Sequence, residues 1–257
     1  MIELTRDFFI QERLLKGIRA DPFLEELGWE IMHRLSGMEI DSLDLDIEED
    51  GWVRVRVSGK DEGIAENLLC RVYGRLKRAA DVKTGELFKG FITDLGKYGY
   101  GIYFKAFLDK KDGLYPLYEV RRQWVDGRRL PLRRIAKLYG LIDGLSMELS
   151  LMKRDEKGIY VSISPRQVQT IRSLVRRGRD ILFIVGATPK QVRRALIKTG
   201  HSRDVSLTRT SFLSFMLVCK PGTQARGLIP RLGPHLPGAG LSAIHSDELG
   251  ELRGATF

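Results

Sequence analysis

Lys89-Gly90-Phe91-Ile92-Thr93-Asp94-Leu95-Gly96-Lys97-Tyr98-Gly99-Tyr100-Gly101-Ile102-Tyr103-Phe104 reads as two β-strands whose glycines permit the sharp bending that barrel closure needs. A polar turn at Lys110-Lys111-Asp112-Gly113 follows, and then a third strand, Leu114-Tyr115-Pro116-Leu117. Residues 144–151 form a fourth. After the turn Asp155-Glu156-Lys157-Gly158, residues 159–164 return as a fifth. Five short strands in this order predict a barrel.

The matching positions Gly90, Tyr98-Gly99, Gly113-Leu114, Asp143-Gly144 and Ile163-Ser164 give this third of the chain an order that resembles the S1-type RNA-binding domain, an OB-fold barrel. Such domains stack single-stranded RNA bases on exposed aromatics beside a basic groove. The resemblance implies that Tyr98 is the first platform aromatic, with Lys97 beside it. The second usual aromatic falls on Gly101 and the usual histidine on Pro116, so Tyr100, Tyr103 and Tyr115 are the candidates to replace them. The alternative is that these tyrosines fill the barrel with their hydroxyls at its rim.

The short connection usual between the third and fourth strands is replaced by residues 119–143. This insertion carries Arg121, Arg122, Arg128, Arg129, Arg133, Arg134 and Lys137, and between residues 120 and 142 only Asp126 offsets them. Arginine engages phosphate bidentately, so these side chains are candidate RNA contacts. The other reading is a solvated helix-loop surface paired with the acidic N-terminal module. Ile135, Leu138 and Leu141 predict that part of the insertion is helical.

On the N-terminal side, Asp21-Pro22 predicts a helix start, with Leu24, Leu27, Ile31 and Leu35 as its apolar stripe. Leu43, Leu45 and Ile47 alternate with acids, and Val53, Val55 and Val57 alternate with arginines, which predicts a hairpin. A three-residue loop Glu49-Asp50-Gly51 would pair Ile47 with Val53 and Leu45 with Val55, placing Asp46 opposite Arg54 and Asp44 opposite Arg56. The acidic run is then a charge-paired strand face rather than a metal site. A helix from about Lys60 to Arg78 follows, with Ile64, Leu68, Val72 and Leu76 on one side.

On the C-terminal side, Ser164-Pro165 and Thr188-Pro189 start helices whose inner faces are Val168, Ile171, Leu174, Val175 and Val192, Ala195, Leu196. Strands are predicted at 180–185, 205–209, 212–219 and 241–244, separated in part by the proline-interrupted stretch 229–237. That order suggests a ferredoxin-like α+β module. Val185-Gly186-Ala187-Thr188-Pro189-Lys190 lacks the spacing of a phosphate loop and reads as a turn.

The fold class is therefore α+β, with a central S1-like barrel (85–170, including the 119–143 insertion) between an N-terminal α/β module (1–84) and a ferredoxin-like module (171–257). This combination also resembles an archaeal protein family of unassigned function. The chain has 257 residues and a net charge of +10, distributed as −5 over residues 1–80, +9 over 81–180 and +6 over 181–257. A polyanion would meet the middle and C-terminal parts first, whereas the acidic N-terminal module is the candidate face for a protein partner. No apolar run reaches membrane-spanning length, no signal peptide is readable, and two distant cysteines suit a reducing compartment, so a cytoplasmic protein is expected.

Four scattered histidines show no metal-ligand spacing, and no nucleophile has a readable base. Neither cofactor nor catalytic residue is expected. The resulting expectation is a translation- or ribosome-associated RNA-binding protein. An RNA-processing or RNA-modifying enzyme, and a protein-protein adaptor, are the alternatives.

Overall fold

Strand alternation and two glycine turns organise the N-terminal part. The computed structural model describes residues 5–254. These divide into two compact units, one running up to Val82 together with Ala106–Lys110, the other comprising Lys83–Lys105 and the chain from Lys111 onward.

The first unit contains β1 (Thr5–Arg13), α1 (Ala20–Arg34), β2 (Ile40–Ile47), β3 (Trp52–Gly59) and α2 (Glu62–Tyr73). Its sheet has the order β1-β3-β2. The hairpin register is the expected one: Ile47 faces Val53, Leu45 faces Val55, Asp46 faces Arg54 and Asp44 faces Arg56. Gly51 takes φ +85°, as the turn requires. The ion pairs nevertheless run diagonally. Because β1 flanks β3 on its other side, Arg54 pairs with Asp7 of β1, and Arg56 reaches Asp46 at 2.5 Å.

Both helices differ in detail from the sequence expectation. Helix α1 begins one residue before Asp21, whose carboxylate therefore lies in the first turn, and its buried residues are Phe23, Leu27 and Ile31. Helix α2 ends at Tyr73 because Gly74 adopts φ +83°. Its buried stripe is Ala65, Leu69 and Tyr73, while Ile64 (58% exposed) and Val72 face outward. On the buried face Tyr73 gains a hydrogen bond to Glu30 at 2.9 Å.

The second unit holds the barrel: β4 (Leu87–Thr93), β5 (Gly101–Lys105), β6 (Asp112–Pro116), β7 (Ser146–Asp155) and β8 (Gly158–Ile163). The barrel closes in the order β4-β5-β6-β8-β7, with β7 returning to β4 and β8 running parallel to β6. This order is consistent with an OB-like fold. Phe91, Ile102, Phe104, Tyr115, Leu149, Val161 and Ile163 fill it. The insertion forms α3 (Leu117–Val125) and α4 (Leu132–Leu138), which bury Val120, Trp124, Leu132 and Ile135. It is a packed layer with a charged exterior.

The chain continues through α5 (Pro165–Arg176), β9 (Ile181–Val185), α6 (Pro189–Lys198), β10 (Val205–Ser211), β11 (Ser214–Cys219), α7 (Ala225–Leu232), β12 (Gly240–Ile244) and α8 (Ser246–Gly254). From β9 to β12 this is βαββαβ, with antiparallel sheet order β10-β11-β9-β12, the ferredoxin-like arrangement. Ser164 and Thr188 cap α5 and α6 as expected, the latter with a full capping box. Helix α7 was not legible as a helix, because Pro230 lies within it. The stripe Ala225, Leu228 and Leu232 is buried in the module core despite the lost backbone donor.

All five residues of β9 are buried, so both sheet faces are covered. One packs on α6 and α7. Against the other, the end of the insertion comes close: a Cβ on Gly140 (φ +57°) would lie 3.0 Å from the Ala243 backbone and 3.2 Å from the Phe183 ring. Ser146 N also donates to Ser214 Oγ at 3.2 Å. The barrel layer and this sheet thus share one packed boundary.

Asp180, buried just before β9, ties the C-terminal helices to the sheet. Its carboxylate accepts from Ala225 N at 3.0 Å at the start of α7, and from Ser246 N and Oγ, both at 2.9 Å, at the start of α8. Burial pushes its pKa up, but these donors, with His245 alongside, outweigh burial and hold it below the usual carboxylate value. A depressed folded-state pKa stabilises the fold above the unfolded value, and that stability is lost as pH falls through the folded one. Asp180→Asn should therefore cost about 2–3 kcal/mol near neutral pH, two lost caps at about 1 kcal/mol each plus an imperfect amide. It should also flatten the acid limb of stability measured by urea unfolding.

Candidate nucleic-acid interface

Inside-outside alternation decides which barrel residues reach solvent. In β5, Ile102 and Phe104 point inward, so Tyr103 points out. In β6, Gly113 and Tyr115 are inward and Leu114 outward; in β8, Ile159 and Val161 are inward and Tyr160 outward. The ladder places Tyr103 opposite Leu114, Leu114 opposite Tyr160, and Tyr160 opposite Lys153. One cross-strand row therefore crosses four strands of the barrel exterior. Lys153 Nζ sits 4.4 Å over the Tyr160 ring.

The β4–β5 loop adds two more rings to the end of this row. Tyr98 lies 5.4 Å from Tyr103 and 5.6 Å from Tyr100, with interplanar angles of 71° and 38°. Tyr100 and Tyr103 meet edge to face at 6.1 Å, their hydroxyls 2.9 Å apart. None of these pairs is a parallel stack. Tyr98 and Tyr100 are 37% and 54% exposed. Lys97 Nζ is 5.3 Å from the Tyr98 ring centroid.

Gly101 explains why an aromatic is absent there. A Cβ at this position would lie 2.5 Å from the Tyr115 carbonyl oxygen, because β5 presses against β6. Tyr103, two residues on, carries the outward ring instead.

Tyr115 leaves the candidate set. Its ring is fully buried, and its hydroxyl donates to Gln123 Oε1 at 2.5 Å. Burial first, then the Glu119 charge, pushes its pKa far up. A ring enclosed this way cannot meet a base. Its inward position follows from the same alternation that turns Leu114 outward.

The other candidates divide into two groups. Arg133 and Lys137 line a cleft of about 350 Å³ with Leu95 and Gly96 of the tyrosine-bearing loop, and Arg133 Nη2 approaches Gly96 O at 3.4 Å. These two cations therefore stand beside Lys97 and Tyr98. Arg129 and Arg134 are exposed and make no ion pair among the described residues. By contrast, Arg121 Nε donates to Leu130 O at 3.0 Å, inside the insertion, and Arg122 pairs with Glu119 at 2.5 Å. Arg128 lies farther along, lining a narrow cleft with Asp126 and Arg172.

On the tyrosine face, the lysines have acidic neighbours: Lys97 with Asp94 at 3.6 Å, Lys105 with Asp112 at 3.0 Å and Lys153 with Asp155 at 2.8 Å. The face is nearly neutral. The uncompensated positive charge stands at its side, on the insertion. Sequence reading did not place Leu114, Tyr160, Lys153 or Tyr118 among the candidate RNA contacts; Tyr118 is 61% exposed at the start of α3. Alternation along residues 159–163 marks Tyr160 as outward, and only the strand pairing puts it in one row with Tyr103, across Leu114.

Among the described residues, no group of three His, Cys, Asp or Glu side chains is placed to hold a metal ion, and no helix is long and apolar enough to cross a membrane.

Three family models match the chain consecutively: the DUF2110 N-terminal domain over residues 1–79, the DUF2110 central domain over 82–175 and the DUF2110 C-terminal domain over 179–244. No curated protein matches it.

The hydrogen bond between the Tyr100 and Tyr103 hydroxyls, with burial adding to the effect, pushes the Tyr103 pKa up to about 12. In an alkaline titration followed by tyrosinate absorbance, the difference between the wild type and Tyr103→Phe should develop only above about pH 11, well past the ordinary tyrosine range. A difference already developed near pH 10 would show that the two hydroxyls do not pair in solution.

Proposed function

We propose, for a chain that belongs to the DUF2110 family along most of its length, the function of binding single-stranded RNA across the outer face of the central barrel. The observation that carries this reading is the row formed by Tyr98 and Tyr100 of the β4–β5 loop, Tyr103 of β5 and, beyond Leu114 of β6, Tyr160 of β8, with two of its rings well exposed. Bases stack on such rings irrespective of sequence, at about 1–3 kcal/mol per base. Arg129, Arg133, Arg134 and Lys137 then supply phosphate contacts beside the rings. Stacking contributes more to affinity than charge does on this face, since the lysines among the rings are already engaged by carboxylates.

A role near the ribosome or another structured RNA agrees with the positive charge of residues 81–257. Two unpaired cysteines suit the cytoplasm. The acidic edge strand β2, with Asp41, Asp44 and Asp46 outward, is the surface for a basic protein partner.

Fluorescence anisotropy with a labelled pyrimidine-rich RNA tests the reading. Tyr98→Ala combined with Tyr100→Ala should weaken binding by about 10- to 100-fold, the equivalent of one or two lost stacking contacts. Trp29→Ala, which removes an exposed ring on α1 rather than on the barrel, should leave affinity unchanged. Equal binding by wild type and the double variant would refute the tyrosine face. Recovery of a shortened or chemically altered RNA would instead indicate an enzyme.

A further inference from the structure

A cleft of about 540 Å³ lies between α3 and α5, outside the tyrosine face. Its walls include Arg122, Gln123 and Asp126 on one side and Gln169, Arg172, Ser173 and Arg176 on the other. Residues 169, 172, 173 and 176 recur at spacings of three and four, so one face of α5 lines it. Three guanidinium groups are opposed by a single carboxylate in the lining.

Arg172 is the most enclosed of them, its side chain only 15% exposed. Nη1 donates to Gln123 O at 2.9 Å, and Nη2 donates to both oxygens of Asp126 at 2.8 Å. Its Nε is a buried donor without a hydrogen-bond partner among the described residues. Such a donor is unusual, because leaving it unmet costs free energy that an acceptor oxygen would recover. Arg176, one turn on, is exposed and makes no ion pair among the described residues. Arg122 is braced by Glu119 yet remains 69% exposed.

The cleft also lies along a route from the barrel. Leu117 N donates to Tyr100 O at 2.8 Å, which sets the first turn of α3 against the tyrosine-bearing loop. Tyr118 is exposed on that turn, and Arg122 follows one turn later on the same side of the helix. Tyr100, Tyr118 and Arg122 thus lead from the rings to the cleft.

The geometry points to this cleft as a second anchor that binds a phosphodiester of the same RNA strand after it leaves the tyrosine face over Tyr118. The inference rests on the RNA-binding reading and extends it to α5, a helix outside the insertion. It implies a footprint longer than the rings alone occupy.

The test compares single-stranded RNAs of about 4 and about 12 nucleotides, within the range of lengths that single barrels accommodate. Arg122→Gln combined with Arg176→Gln removes two exposed charges and leaves the structural Arg172 in place. The double variant should bind the long RNA about 10-fold more weakly near 100 mM salt, with the slope of log affinity against log salt reduced by about 1.4, two contacts at about 0.7 each. It should bind the short RNA as the wild type does, and its melting temperature should be unchanged.

Unchanged affinity for the long RNA, or an equal loss for both lengths, overturns the second anchor while leaving the tyrosine face standing. Absence of wild-type RNA binding overturns both. A melting-temperature rise with inorganic phosphate alone that the double variant abolishes, without a change in long-RNA affinity, assigns the cleft to a free anion and overturns the polynucleotide path.

Discussion

Gln123 fixes the basic insertion to the barrel. Its side-chain oxygen accepts from the Tyr115 hydroxyl, its side-chain nitrogen donates to Ile163 O at 3.0 Å, and its main-chain oxygen receives Arg172 at 2.9 Å. A buried amide satisfied from two strands and one helix holds α3 in a single position, because any other placement leaves several polar groups unpaired. The location of every cation on α3, and of the cleft beside α5, follows from that position. Burying the Tyr115 ring belongs to the same arrangement: the tyrosine that fails as a base platform is the one that anchors the insertion.

The barrel was legible because its signals are local. Glycines, polar turns and strand alternation in residues 89–164 specify five strands, and the hairpin register around Gly51 could be derived from loop length and apolar pairing. What escaped depends on distant partners. The arginines of β3 pair diagonally because a strand from the chain start flanks them, and α2 buries Ala65, Leu69 and Tyr73 rather than Ile64 and Val72, with Tyr73 bonded to the distant Glu30. Pro230 concealed α7, whose apolar stripe is held by the tertiary core.

At the site, sequence identified the residue types but could not sort them. Tyr98, Tyr100 and Tyr103 converge because the loop folds back over β5, whereas Tyr115 is one position out of phase with the outward face. Likewise, counting seven cations in the insertion says nothing of Glu119 or Leu130 O, which engage Arg122 and Arg121. The ferredoxin-like sheet offers no competing platform. Four-stranded sheets of this kind bind RNA through aromatics on an open face, but Phe183 and Phe215 are both buried here. RNA recognition, on this reading, falls to the barrel exterior.

Ultraviolet crosslinking of a pyrimidine-rich single-stranded RNA to the intact protein, followed by mass-spectrometric mapping of the attached peptides, addresses that assignment most directly. Binding across the rings places the crosslinks within residues 97–105, at Tyr98, Tyr100 or Tyr103. Crosslinks confined to the N-terminal unit or to α6, with those tyrosines unmodified, would contradict it.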